Sequence, residues 1–123
     1  TDGEDVMRRN FRHSLMLLDW CTAQRVPLVH ASSAATYGDG AQGFDDAADL
    51  AHLRTLRPLN LYGWSKHLFD QAVAARRESG QALPPACWGL KFFNVYGANE
   101  HHKGPMRSVV HKVFETLREG GEV

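Results

Sequence analysis

An excess of either charge is the first thing this sequence lacks: 14 Lys and Arg stand against 14 Asp and Glu in 123 residues, a formal net charge of zero. Nucleic acids and anionic membranes recruit a basic surplus, so neither is the expected partner. Cysteine is scarce. Cys21 and Cys87 lie far apart inside apolar segments without C-x-x-C spacing, which excludes a disulfide scaffold or zinc site and reads as buried free thiols in a reducing compartment. No apolar run approaches the roughly 20 residues that a membrane span needs, and no secretory signal pattern opens the chain. A soluble, cytoplasmic protein is expected. What is present is 43% hydrophobic residues, enough for a packed core in one ordinary domain. The chain opens at Thr1 without Met, almost directly in a helical pattern, and closes on Gly120-Gly121-Glu122-Val123. Both ends suggest an excerpt from something longer.

Hydrophobic periodicity orders the elements. From Asp5 to Gln24, Met7, Phe11, Leu15 and Leu18 follow helical spacing, and Met16, Leu17 and Cys21 widen the stripe. After Pro27, Leu28-Val29-His30-Ala31-Ser32 reads as a short parallel strand covered on both faces. Gly38, Asp39, Gly40 and Gly43 begin a polar loop that runs to about Pro58, long enough to suggest a functional segment. A helix over 59–79 follows, with Leu61, Ser65, Leu68, Phe69, Ala72 and Val73 inward. Pro84-Pro85 separates it from a second strand, 87–93. A loop from Asn94 to Gly104 leads to Pro105, a residue suited to a helix's first turn, and Met106, Val109, Val110, Val113, Phe114 and Leu117 mark one face of the helix it would start. This alternation is that of a doubly wound parallel α/β sheet, and two strands make only part of one.

Open α/β sheets bind ligands beyond the carboxyl ends of their strands. There the first strand runs into Ser32-Ser33-Ala34-Ala35-Thr36-Tyr37-Gly38, which is either a substrate-facing hydroxyl cluster or a turn that satisfies its own backbone. Pro58-Leu59-Asn60-Leu61-Tyr62-Gly63-Trp64-Ser65-Lys66 opens the next helix and puts Tyr62 and Lys66 at i, i+4 on one face. An ammonium near a phenol lowers its pKa from about 10, toward use as an acid or base near neutrality. Ser33 could hold the same substrate oxygen.

Together with Phe92-Phe93-Asn94-Val95-Tyr96-Gly97, Glu100, His102-Lys103-Gly104, Met106 and Ser108-Val109, these segments resemble the extended short-chain dehydrogenase/reductase family of nucleotide-sugar epimerases and dehydratases. The His102-Lys103-Gly104 loop favours the branch that inverts C6 of an ADP-heptose in lipopolysaccharide core precursor synthesis. The resemblance extends over nearly the whole chain and implies a partial Rossmann-like sheet, with residues 1–123 as its catalytic middle and a substrate-binding region beginning at about 95–123. NADP is the implied cofactor, ahead of NAD. Ser33, Tyr62 and Lys103 are the implied catalytic residues. Asn10, Lys66, Val95 and Lys103 are assigned to the cofactor, and Ser33, Asn94, Pro105 and Lys112 to the substrate. The expected partners are an ADP-sugar and further copies of the chain.

The sequence also departs from that pattern. Pro105 stands where relatives often carry Ser, Lys112 where a His is usual with His111 beside it, and Lys91 where many carry Arg. No G-x-x-G-x-x-G turn occurs in the 123 residues, so an isolated segment would lack the usual pyrophosphate cradle and be inactive. Asn10 could equally lie on a solvated helix edge. Glu100 with His101 and His102 could suggest a metal, but adjacent histidines point in different directions and no third ligand has a compelling spacing, so no metal is expected. Asp45, Asp46 and Asp49 read as solvated surface, and Trp20, Trp64 and Trp88 as core or interface packing. The rival readings are a different nucleotide-sugar epimerase or dehydratase, and an inactive truncated product serving at most as an association module.

Overall fold

The computed structural model describes residues 3–121. They form two compact units, one up to Phe92 and one from Phe93 onward. In the first, helices α1 (Gly3–Met7) and α2 (His13–Gln24) flank a π-helical turn over Arg8–Arg12. That widened turn is invisible to simple helical periodicity. Arg25 closes the run in the left-handed region at φ 56°. Leu18 and Cys21 are buried as the stripe predicts, while Met16, Leu17 and Trp20 are exposed. Cys21 and Cys87 are both free, the first buried and the second half-buried.

Strand β1 (Leu28–Ser33) pairs in parallel with β2 (Cys87–Phe92), Leu28 opposite Cys87 through Ser33 opposite Phe92. Among the described residues the sheet has these two strands. Leu18, Cys21, Leu28, Phe69 and Val73 form the core beneath one of its faces. Val29, Trp88, Leu90 and Phe92 point the other way and are exposed. Among the described residues the helical core lies under one of these faces.

The long segment after β1 is more ordered than its polarity suggests. A 3₁₀ turn over Ala34–Tyr37 follows the strand, and α3 (Leu50–Leu53) interrupts the loop. Asp49 caps α3 by accepting a hydrogen bond from His52 N–H at 2.8 Å, so it is more than solvated surface. Leu53, Leu56, Tyr37 and Ala74 bury one another in a second small core. Gly38, at φ 68°, lets the chain pass Arg57: a Cβ there would lie 2.0 Å from the Arg57 carbonyl oxygen.

Helix α4 (Leu61–Glu78) starts at Asn60, whose Oδ1 accepts from Gly63 N–H at 2.8 Å. Ser65, Phe69 and Val73 are buried as predicted, but Leu61 is 55% exposed, a further correction. His67, which the apolar pattern passed over, is fully buried. Its ring meets Trp64 edge to face at 5.6 Å between centroids.

The second unit carries a 3₁₀ stretch over His101–Met106 and helix α5 (Val109–Arg118). The expected helix start at Pro105 is corrected. Gly104 takes φ 53°, Arg107 is extended, and Ser108 caps α5 by accepting from His111 N–H at 3.1 Å. A side-chain cap satisfies an open helix N–H, which Pro105 could not do. Val109, Val110, Phe114 and Leu117 do share α5 but are exposed, as is Met106. No helix among the described residues is long and apolar enough to cross a membrane.

Candidate active site

In the first unit, Ser33 closes β1 and Lys66 of α4 reaches the same strand end, while Asn10 is tied to α4 beside Tyr62. Ser33 ends the strand in extended backbone and begins the 3₁₀ turn, with Oγ accepting from Ala35 N–H at 3.2 Å. The Ser33 hydroxyl proton can therefore be directed at a ligand oxygen. Lys66 reaches from α4 to the same strand end and donates to the Ala31 carbonyl at 3.0 Å. Its ammonium lies 6.0 Å from the Tyr62 ring centroid, at the outer limit of cation–π attraction. Tyr62 is 46% exposed, open to a ligand.

Asn10 does not lie on a solvated edge. From the π-helical turn its Nδ2 donates to Ser65 Oγ at 3.2 Å, and Ser65 in turn donates to Tyr62 O at 2.7 Å. This bond joins residues 55 apart in sequence and attaches the first helical run to the turn of α4 between Tyr62 and Lys66. Widened π turns are frequent at functional sites.

Close packing also sets where α4 begins. A Cβ on Gly63 would come within 2.8 Å of Ala35 O and 3.0 Å of Pro58 Cβ. The residue after Tyr62 is thus pressed against the turn that follows Ser33. Beneath this turn, Lys91 bonds both Thr36 and Asp70, and Asp70 accepts from Ser32. The sequence singled out Ser32 and Lys91 but contained no sign that they meet through Asp70.

In the second unit, Asn94, Val95, Lys103, Pro105 and Lys112 are all exposed. The loop that carries Lys103 is tied together by Glu100, which is buried. Its carboxylate accepts from Gly97 N–H, Ser108 N–H and Ser108 Oγ, each at 2.9 Å, and Lys103 Nζ lies 3.4 Å away. These bonds, the backbone N–H donors foremost, hold the carboxyl pKa down at about 2, against 4.5 ordinarily. Glu100 closes the loop that presents Lys103. Its presence in the motif was legible; its role as a hub was not.

The fold also supplies what linear spacing near His101 and His102 did not, by bringing His111 and Glu115 to His101. Glu115 Oε1 lies 3.7 Å from His101 Nδ1 and 3.3 Å from His111 Nε2. The same carboxylate is ion-paired with Arg107, so its charge is already met by a guanidinium.

Comparison with known proteins supplies a frame for this geometry. The model of the NAD dependent epimerase/dehydratase family matches residues 1–123. The ADP-L-glycero-D-manno-heptose-6-epimerase of Nitratidesulfovibrio vulgaris strain Hildenborough is 48% identical over 121 residues, covering 98% of this chain and 35% of that protein. The enzyme of the same name from Alkalilimnicola ehrlichii is 46% identical over 122 residues, covering 99% of this chain and 35% of its own. The crystal structure of Helicobacter pylori ADP-L-glycero-D-manno-heptose-6-epimerase superposes with a TM-score of 0.73 at 28% identity, over 100% of this chain and 36% of that one. The chain spans about a third of the length of these relatives.

Proposed function

Because the chain belongs to the NAD dependent epimerase/dehydratase family, we propose that it forms the catalytic middle of an NADP-dependent epimerase that converts ADP-D-glycero- to ADP-L-glycero-D-manno-heptose. The observation that carries this reading is Lys66, one helical turn from Tyr62, bonded to Ala31 O two residues before Ser33, with Gly63 pressed against the turn that follows Ser33. An exposed phenol and an ammonium on one helix face fit the ribose and nicotinamide end of such a cofactor. The family's usual pyrophosphate cradle, a G-x-x-G-x-x-G turn, does not occur in the 123 residues.

The chemistry a nicotinamide supplies when bound is reversible removal of the C6 hydrogen with its electron pair. Tyr62 takes the hydroxyl proton as that oxygen becomes a carbonyl in the first orientation. Ser33 donates a hydrogen bond to the same oxygen, and Lys66 holds the ribose beside Tyr62. Inversion needs the carbonyl to present its other face, and Lys103 serves as acid and base for that second orientation. Asn10, Val95 and Lys103 border the cofactor, while Asn94, Pro105 and Lys112 meet the substrate. Two anionic phosphates need only a few placed cations, which is compatible with a neutral chain. On this reading the enzyme is cytoplasmic, assembles with further copies of itself and feeds lipopolysaccharide core synthesis.

Turnover by the complete protein that carries this chain tests the proposal. ADP-D-glycero-heptose should be converted and UDP-glucose left unchanged; conversion of UDP-glucose alone would move the protein to another sugar nucleotide.

A further inference from the structure

Lys91 rises from β2 beneath the end of β1, and its ammonium has three partners. Nζ donates to Thr36 Oγ1 at 2.7 Å and to Asp70 Oδ2 at 2.9 Å, and it lies 4.9 Å from the Tyr37 ring centroid. Asp70 Oδ2 accepts a second bond, from Ser32 Oγ at 2.7 Å. Thr36 Oγ1, having accepted from Lys91, donates onward to the Ser33 carbonyl at 2.8 Å. The side chains of Lys91 and Asp70 are 17% and 10% exposed, and Ser32 and Thr36 are buried.

Such a network is expensive as a source of stability. Burying an ion pair costs desolvation that apolar residues of the same size would avoid, and a polar cluster is tolerable only when its members are satisfied. Its location supplies a reason for it. Each hydrogen bond ends on Ser32, on Ser33, or on the residues that pin the turn between Ser33 and Gly38. Lys66, one turn before Asp70 on α4, holds Ala31 O, so the three residues at the strand end are held by two lysines from two elements.

Resting on the function proposed above, we infer that Lys91, acting through Thr36, is a positioning residue for Ser33. Asp70 pins the ammonium, the ammonium orients the Thr36 hydroxyl, and that hydroxyl fixes the Ser33 carbonyl. The Ser33 side chain, already engaged by Ala35 N–H, is thereby held in one orientation toward the reacting oxygen.

Two substitutions at Thr36 separate this role from packing. Thr36→Val keeps the shape and removes the hydroxyl; Thr36→Ser keeps the hydroxyl and removes a methyl. In the complete protein with ADP-heptose, Thr36→Val is expected to lower kcat about tenfold or more with KM little changed, because misplacement of a reacting contact acts on the chemical step. Thr36→Ser should stay within about threefold of the parent, since the hydroxyl relay survives. Amide hydrogen exchange at Ala35 provides a readout independent of turnover: it should accelerate in the Val variant alone. The double variant Lys91→Met with Asp70→Asn removes the same link without leaving a lone buried charge, and should reproduce the loss in kcat and the faster exchange even if the Val variant fails to fold.

Impairment of the Ser variant with an intact Val variant would assign Thr36 to packing and overturn the inference. Equal behaviour of the two, or a double variant with unchanged exchange, would also overturn it. If exchange responds as expected while the parent turns over no sugar nucleotide, the positioning of Ser33 stands and the proposed function falls.

Discussion

Gly63→Ala reverses the sign that helix propensity alone would give. Replacing Gly by Ala inside a helix normally adds up to about 1 kcal/mol of stability. Here the added methyl would meet Ala35 O at 2.8 Å, Pro58 Cβ at 3.0 Å and Ala35 C at 3.3 Å. Two of these three atoms are backbone, in a turn clamped by its own hydrogen bonds, so no flexible side-chain tip can yield. Overpacking of this kind costs about 1 to 3 kcal/mol. Subtracting the propensity gain leaves a net loss of up to about 2 kcal/mol, at no more than roughly 2 to 4 °C of Tm per kcal/mol for a protein longer than this chain. The strain is relieved by moving the start of α4 away from the Ser33 turn, which carries Tyr62 with it, so kcat should fall about tenfold or more. Thermal melting and steady-state turnover of the complete protein test both halves. A Gly63→Ala variant that melts higher and turns over normally would refute the close approach and the role given to it.

Further predictions concern other parts of the site. Tyr62→Phe should cut epimerisation by about 100-fold or more, the usual range for loss of a general acid and base, with melting unchanged; retained activity would remove Tyr62 from the reaction. Asn60→Ala removes the cap on Gly63 N–H and should cost about 1 kcal/mol in chemical denaturation. Burial, the largest influence on both His30 and His67, lowers their folded pKa below 6.5. Their contribution to stability is therefore present above about pH 6.5 and lost as pH falls below it, so melting should drop between about pH 7 and 5, and His67→Gln should flatten that fall. Glu100, with its pKa at about 2 instead of 4.5, contributes above about 4.5 and loses that contribution as pH falls through about 2. At neutral pH, Glu100→Gln should speed amide exchange at Gly97 and Ser108, and unchanged exchange would deny it the role of hub.

Helix and strand order was readable because each element carries its own period: Met7, Phe11, Leu15 and Leu18 for the first helical run, Phe69 and Val73 for α4. Tyr62 and Lys66 were readable for the same reason, since i, i+4 spacing alone puts them on one face. What escaped was set by tertiary contacts. Asn10 reaches Ser65 across 55 residues, and Lys91 reaches Asp70 across 21, and no local pattern encodes either meeting. Gly63 looked like an ordinary glycine near a helix start, because its purpose is the carbonyl of Ala35 lying against it. At α5 two local signals competed. Pro105 fits a first turn, but Ser108 offers the side-chain acceptor that a helix start needs, and Gly104 in the left-handed region breaks the chain between them. The alternation around Val29 and Trp88 was masked because apolar residues occupy both faces of the strands, whichever face the helices cover.

The central claim is that Tyr62 and Lys103 move the protons, and Ser33 and Lys66 hold the reactants, while a nicotinamide would take the C6 hydride of an ADP-heptose and return it to the other face. An ADP-D-glycero-heptose labelled with deuterium at C6, given to the complete protein in ordinary water, tests it most directly. The expected result is an inverted product that keeps its deuterium, and far slower inversion in Tyr62→Phe. Replacement of the label by solvent hydrogen, or inversion undiminished in the Phe variant, would contradict it.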